Sequence, residues 1–127
     1  MSQEKVTCDL TPKAVGPYSA AIKIGNMVYV SGQLPIDASI GKMPEDITAQ
    51  TKQSLKNLSL LLEAAGSSIK KVVKTTVLLS DIKNFAPMNE VYGQVFSDPF
   101  PARSAFEVGA LPLGALVEIE CVAYIDD

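Results

Sequence analysis

The spacing of hydrophobic and polar residues changes period several times along the chain, and each change marks an element. Two β-prone runs, Ala20 to Ile24 and Met27 to Ser31, flank Gly25-Asn26, a pair suited to a two-residue hairpin turn. The second run leads into Ser31-Gly32-Gln33-Leu34-Pro35, where Gly32 and Pro35 break regular pairing. The period then becomes helical. Ile47, Thr51, Leu55, Leu58, Leu62 and Ala65 fall on one face, with Asp46 placed to cap the start and Gly66 to take the left-handed position at the end. Val73, Thr75, Val77 and Leu79 alternate as in a half-buried strand. Phe85, Met88, Val91, Tyr92 and Val95 form a second helical stripe, with Asn84 as its cap and Pro87 in its first turn. Ala102 to Gly109 and Ala115 to Ile125 read as two final strands joined by the short Ala110-Leu111-Pro112-Leu113-Gly114 connection. The order β-β-α-β-α-β-β, with two helices available to cover one face of one sheet, predicts an α+β two-layer sandwich.

The last two strands are unusually charged for core strands. Strict alternation places Ala102, Ser104, Phe106 and Val108 on one side and Arg103, Ala105, Glu107 and Gly109 on the other. In the final strand Ala115, Val117, Ile119, Cys121, Ala123 and Ile125 form an apolar side opposite Leu116, Glu118, Glu120, Val122 and Tyr124. If both apolar sets pack under the helices, Arg103, Glu107, Glu118, Glu120 and Tyr124 all face away from them. Two readings stay open at this point. The charges form cross-strand ion pairs of small consequence, or this mixed face meets another copy of the chain and holds a partly dry cleft where charges act strongly.

Composition narrows the chemistry. A chain of 127 residues, 47% hydrophobic and 20% charged, suits one domain over 1–127 with a real core. The net charge of −3 and a sequence pI of about 4.9 argue against nucleic acid, and the run Lys70-Lys71-Val72-Val73-Lys74 is too short to be a phosphate-binding patch. No apolar run approaches the roughly 20 residues of a membrane span. The first residues show neither a secretory nor an organelle-targeting pattern, so an intracellular, cytoplasmic protein is expected. In a reducing compartment Cys8 and Cys121 are expected as free thiols, Cys121 as a small core residue and Cys8 nearer the surface. The absence of histidine removes Ser-His-Asp and Cys-His arrangements and HExxH zinc sites, and no phosphate-cradling glycine loop occurs. A metal site is not expected. The chemistry available is that of carboxylates, Arg103, hydroxyls, backbone groups and water.

From Pro99 to Glu120 the run Pro-Phe-Pro-Ala-Arg-Ser-Ala-Phe-Glu-Val-Gly-Ala-Leu-Pro-Leu-Gly-Ala-Leu-Val-Glu-Ile-Glu closely resembles the C-terminal signature of the RidA/YjgF family, the reactive-intermediate deaminases. Ala14 to Asp37 is similar to that family's N-terminal hairpin, Asp46 to Gly66 to its first helix and Met88 to Phe96 to its second, so the likeness spans nearly the whole chain. The resemblance implies a chorismate-mutase-like fold on a mixed sheet, assembled as a homotrimer with clefts between subunits. It implies hydrolysis of 2-aminoacrylate/2-iminopropanoate and 2-iminobutanoate to 2-oxo acids and ammonia, without metal or organic cofactor. By motif, Arg103 of Pro-Ala-Arg-Ser corresponds to the residue holding the substrate carboxylate, and Glu118 of Val-Glu-Ile-Glu to the one activating water. Gly32 matches a backbone contact to the ligand; Tyr18 and Asn89 match residues lining the cleft, and Ser31 is their neighbour. Ala105 stands where some members carry cysteine, which removes a thiol from the site. Glu120 is expected to be structural. Two other classes share such a fold, a holdase chaperone and a small-carboxylate-binding regulatory protein.

Overall fold

A computed structural model describes residues 2–126. Strands β1 (Glu4–Val6), β2 (Ala21–Ile24), β3 (Met27–Gln33), β4 (Val72–Leu79), β5 (Ala102–Glu107) and β6 (Val117–Tyr124) form one sheet in the order β1-β2-β3-β6-β4-β5. All neighbours are antiparallel except β4 and β5, which are parallel and joined through α2 (Phe85–Val95). The other helix, α1 (Ile47–Ala64), connects β3 to β4, packs on β3 and β6 and lies against α2. The mixed sheet with two helices over one face is the architecture the periodicity predicts, with the short β1 added at one edge. Among the described residues no helix is long and apolar enough to cross a membrane.

The core is the seam between helices and sheet. Leu55, Leu58, Leu61 and Leu62 of α1 meet Val28 and Val30 of β3, Val77 and Leu79 of β4, and Val117, Ile119, Cys121 and Ala123 of β6, all buried. Burying one such leucine contributes about 1.5–3 kcal/mol, which outweighs any helix-propensity term in deciding where α1 lies. Burial also pushes the Cys121 thiol up to about 12, the nearby Glu120 charge adding to the effect, so this sulfur acts as a small hydrophobe. Cys8 is only partly exposed and leans on the core.

Three local expectations are corrected. In β4 the buried valine is Val72, not Val73, which is exposed. The ladder to β6 slips between Val72 and Lys74, and this irregularity turns the alternation by one position. Asn84 makes no capping hydrogen bond. The chain instead enters α2 through a 3-10 turn, Ile82–Asn84, capped by Asp81 Oδ1, which accepts from Lys83 N at 2.9 Å. The third concerns Arg103 and Glu107 and is taken up with the site. Asp46 does cap α1, its Oδ1 accepting from Ala49 N at 2.7 Å, and Gly66, at φ +89°, closes the far end.

The two caps give a direct check. Asp46→Ala is expected to lower the unfolding free energy by about 1 kcal/mol, whereas Asn84→Ala stays within about 0.5 kcal/mol of the parent. Urea unfolding at matched protein concentration measures both, and equal losses would contradict the assignment of caps.

Candidate functional site

Arg103 lies on β5, the edge strand beyond β4. Cross-strand partners share a face, and Arg103 is paired with Thr75, which is itself paired with Cys121; both partners are buried beneath the helices. Arg103 therefore points to the helix side of the sheet, and Glu107 with it, opposite to the expected direction. The reason is the position of β5 at the margin of the core. There the helix-side residues need not be apolar, because they reach across to the flank of α2 that carries Phe85, Asn89 and Tyr92 or to the turn before it. The apolar Phe106 turns instead to the uncovered face, where it is 47% exposed. Glu107 has a structural task that its sequence neighbours do not advertise: its Oε1 accepts from Ile82 N at 2.8 Å and holds the turn leading into α2.

Helix α2 holds the guanidinium of Arg103 on three sides. It lies 4.7 Å from the ring centroid of Tyr92 and 5.4 Å from that of Phe85, and Nη1 donates to Asn89 Oδ1 at 2.6 Å. Phe85, Asn89 and Tyr92 follow one another at helical spacing, so one face of one helix supplies all three contacts. Each stacking contact is worth roughly 0.5–2 kcal/mol depending on how dry it is. Tyr92 is in turn anchored by a 2.7 Å hydrogen bond between its hydroxyl and that of Thr75. Burial raises its pKa, against smaller opposing effects of Thr75 and the Arg103 charge, so Tyr92 stays a neutral platform. Asn89, Tyr92, Gly93, Phe100, Pro101 and Arg103 border an open cavity of about 430 Å³. Ala105, two residues along β5, packs against the core and brings no polar side-chain atom to this cavity.

Glu118 belongs to the other side. It pairs with Leu78, whose neighbours Val77 and Leu79 point into the core, so its side chain stands on the uncovered face. There it meets β3 where the β3–β6 ladder is irregular, between Val30 and Gln33. Gly32 lies directly opposite. A Cβ on it would collide with Glu118 Oε2 and come within 3.0 Å of Cδ, so glycine is needed here for space, not for conformation. Half-burial raises the pKa of Glu118, and the neighbouring Glu120 charge raises it further. Tyr18, Ser31, Gly32, Glu118 and Glu120 share a cavity of about 700 Å³ with the loop before β2. Ser31 Oγ donates to the Ser19 carbonyl at 2.6 Å, which ties that loop down. Tyr18 stands free at the rim, 54% exposed.

One wall of this cavity has no counterpart in the sequence reading. Leu113 lines it from the 3-10 turn Pro112–Gly114 with φ +59°, a left-handed conformation that costs a leucine about 1–2 kcal/mol. Its side chain is 74% exposed, so nothing within one chain repays the strain by burial. The sequence shows this run only as a short connection between two strands, with nothing to mark Leu113 as the residue in the strained position.

The expected residues thus fall into two groups. Tyr18, Ser31, Gly32 and Glu118 come together on the uncovered face; Arg103 and Asn89 come together beside α2. Strand β4 lies between the two strands that carry Arg103 and Glu118, and the two side chains leave the sheet in opposite directions. A single copy does not bring them together.

The family model described as Endoribonuclease L-PSP matches residues 8–125. The chain is 47% identical over 125 residues to a RutC family protein of Pyrococcus abyssi, covering 98% of each. It is 48% identical over 113 residues to the human 2-iminobutanoate/2-iminopropanoate deaminase, covering 88% of this chain and 82% of that one. Among solved structures, RidA from the Antarctic bacterium Psychrobacter superposes with a TM-score of 0.93 at 46% identity, over 96% of this chain and 99% of the other. Both the sequence signature and the fold therefore agree with these relatives, and the chain belongs to the RidA/YjgF family.

Proposed function

We propose that this protein hydrolyses reactive 2-enamine and 2-imine carboxylates, such as 2-iminopropanoate and 2-iminobutanoate, to 2-oxo acids and ammonia, at clefts closed between copies of the chain in a homotrimer. The observation that carries the reading is that one chain holds two unlike half-sites on opposite faces of its sheet. One holds a rigid guanidinium beside an open cavity, and the other holds a carboxylate of raised pKa packed over a glycine. Family membership and the name of the human relative support the same reaction class.

The geometry suits the chemistry. With its faces against Phe85 and Tyr92 and one N–H spent on Asn89, the guanidinium of Arg103 keeps further N–H groups for a bidentate grip on a carboxylate, which a lysine could not reproduce. The imine carbon next to that carboxylate is already electrophilic, so the protein has to orient it and deliver water. Starting from the iminium form, Glu118 of a neighbouring copy takes a proton from the water as its oxygen bonds to the imine carbon and the C=N π pair becomes the lone pair of a neutral amine. The carbinolamine then collapses: protonated Glu118 gives its proton to the nitrogen, the C–N bond breaks and ammonia leaves, and the Glu118 carboxylate takes the hydroxyl proton as that oxygen forms the carbonyl; this last proton is then lost to solvent. An enamine first accepts a proton from solvent at C3, which gives the iminium. The backbone at Gly32 is positioned to contact the ligand, with Tyr18 and Leu113 as apolar walls.

Generation of the imine in situ by a serine/threonine dehydratase, with keto-acid release followed over time, tests the assignment. Arg103→Ala is expected to lose about 3 kcal/mol of transition-state binding, on the order of a hundredfold in kcat/KM. Glu118→Gln is expected to lower kcat by at least about a hundredfold with KM little changed. Equal rates in both variants and the parent would remove these residues from the mechanism and favour a binding role. Gly32→Ala is expected to fold normally, because the nearest atoms its methyl group would meet all belong to the Glu118 side chain and none to the backbone, yet to lower kcat as Glu118→Gln does.

The pH dependence has a fixed sign. Glu118 must be ionised to accept a proton, and its pKa lies above the ordinary 4.5, so activity is lost as pH falls through that raised value. Glu120→Gln removes the like charge and eases ionisation of Glu118, moving the acid limb of the kcat profile to lower pH. An acid limb that stays in place would show that Glu118 does not set it.

A further inference from the structure

Helix α1 carries a polar stripe where a core helix would normally be apolar. Gln50 is 4% exposed, and Ser54 and Asn57 are fully buried. Burying such groups costs free energy unless each finds a hydrogen bond, and every buried side-chain nitrogen and oxygen among the described residues has a partner. Apart from Asn57 Oδ1, which accepts from Gln53 Nε2 at 2.9 Å, the partners here are backbone groups. Ser54 Oγ donates to the Gln33 carbonyl at 2.8 Å, and Asn57 Nδ2 donates to the carbonyls of Leu34 and Ile36 at 3.1 and 3.0 Å. Gln50 works in both directions: its Nε2 donates to the Pro44 carbonyl at 2.8 Å, while its Oε1 accepts from Leu116 N at 2.8 Å.

These backbone groups cluster around one place. Gln33, Leu34 and Ile36 wall the Glu118 cavity, and Leu116 precedes Glu118 by two residues, immediately before β6. The β3–β6 ladder is irregular here, so the spacing between Gly32 and Glu118 is not set by regular pairing alone. We propose that the buried stripe Gln50, Ser54 and Asn57, Gln50 foremost, is a positioning frame that fixes the Glu118 carboxylate against Gly32. This rests on the reading of Glu118 as the group that activates water. The stripe touches neither substrate nor reacting atoms; it acts through the backbone on both sides of the carboxylate. The tolerance is small, because the gap between Gly32 and Glu118 does not admit a single methyl group.

A matched control exists at the opposite end of β6, where Ser67 Oγ donates to the Tyr124 carbonyl at 2.6 Å, a bond of the same kind far along the strand from Glu118. The experiment compares Gln50→Met with Ser67→Ala in the full-length protein, with Ser54→Ala replacing Gln50→Met should the latter not fold. Carboxyl-labelled glutamate NMR, with Glu118 assigned through its loss in Glu118→Gln, gives the titration midpoint of that group. Turnover of the in-situ imine gives kcat and KM. Gln50→Met is expected to let water reach the carboxylate and lower the Glu118 midpoint toward the ordinary carboxylate range, whereas Ser67→Ala leaves it unchanged. It is also expected to lower kcat about tenfold relative to Ser67→Ala with KM within about twofold, as for a displaced catalytic group. A midpoint equal to that of Ser67→Ala overturns the proposal, and so does a moved midpoint with unchanged kcat. If the parent protein does not turn over imines, the deaminase reading fails and the midpoint alone decides whether the frame exists.

Discussion

The constraint on which the site depends is the alternation of side chains across a β-sheet. Residues on paired strands share a face, and residues one step apart do not. Arg103 shares the face of Thr75 and Cys121; Glu118 shares that of Leu78. Side-chain flexibility cannot carry either group through a packed sheet to the other, with the buried Val77 and Ile119 among the residues between them. A reaction that uses both therefore requires two copies of the chain. The uncovered face also has apolar content, with Tyr29, Phe106 and Tyr124 exposed in a single copy. A second copy seated there would cover that surface and deliver its own half-site to the neighbour in one step.

Three glutamates on the last two strands show how position separates roles that composition cannot. Glu107 is spent on the backbone of the turn before α2. Glu120 is exposed and acts on its neighbours chiefly through its charge. Glu118 is half-buried, raised in pKa and packed over the one residue type that leaves it room. A carboxylate perturbed by desolvation inside a cavity is the pattern expected of a general base, and it separates Glu118 from the other two on physical grounds. Arg103 is distinguished in a similar way. Aromatic rings on α2 hold its charge in place, so little conformational entropy would remain to be lost on binding the carboxylate proposed above.

Much of this was legible in the sequence, and the errors have definite causes. Helix α1 was readable because Leu55, Leu58 and Leu62 repeat at helical spacing between a capping Asp46 and a terminating Gly66. The hairpin was readable from Gly25-Asn26. The faces of β6 were also correct, since that strand is central and its alternation reports burial directly. The face of Arg103 was not. Apolar content is a guide to the inner side only under the helices, and β5 lies at the margin, where the aromatic flank of α2 accepts a guanidinium more readily than the core would. Val73 misled because one slip in the ladder reverses alternation without a mark in the sequence. The polar stripe on α1 was invisible for a related reason. Gln50, Ser54 and Asn57 look like solvent-facing residues until the backbone carbonyls and N–H that need them are known.

The central claim is that one copy supplies Arg103 and a neighbour supplies Glu118 to the same working site. Co-expression of Arg103→Ala and Glu118→Gln chains bearing different affinity tags, followed by isolation of assemblies that carry both, tests it most directly. Shared sites predict that the mixed assembly regains imine hydrolysis, because some clefts then pair an intact Arg103 with an intact Glu118. A mixed assembly as inactive as either parent variant would contradict the account.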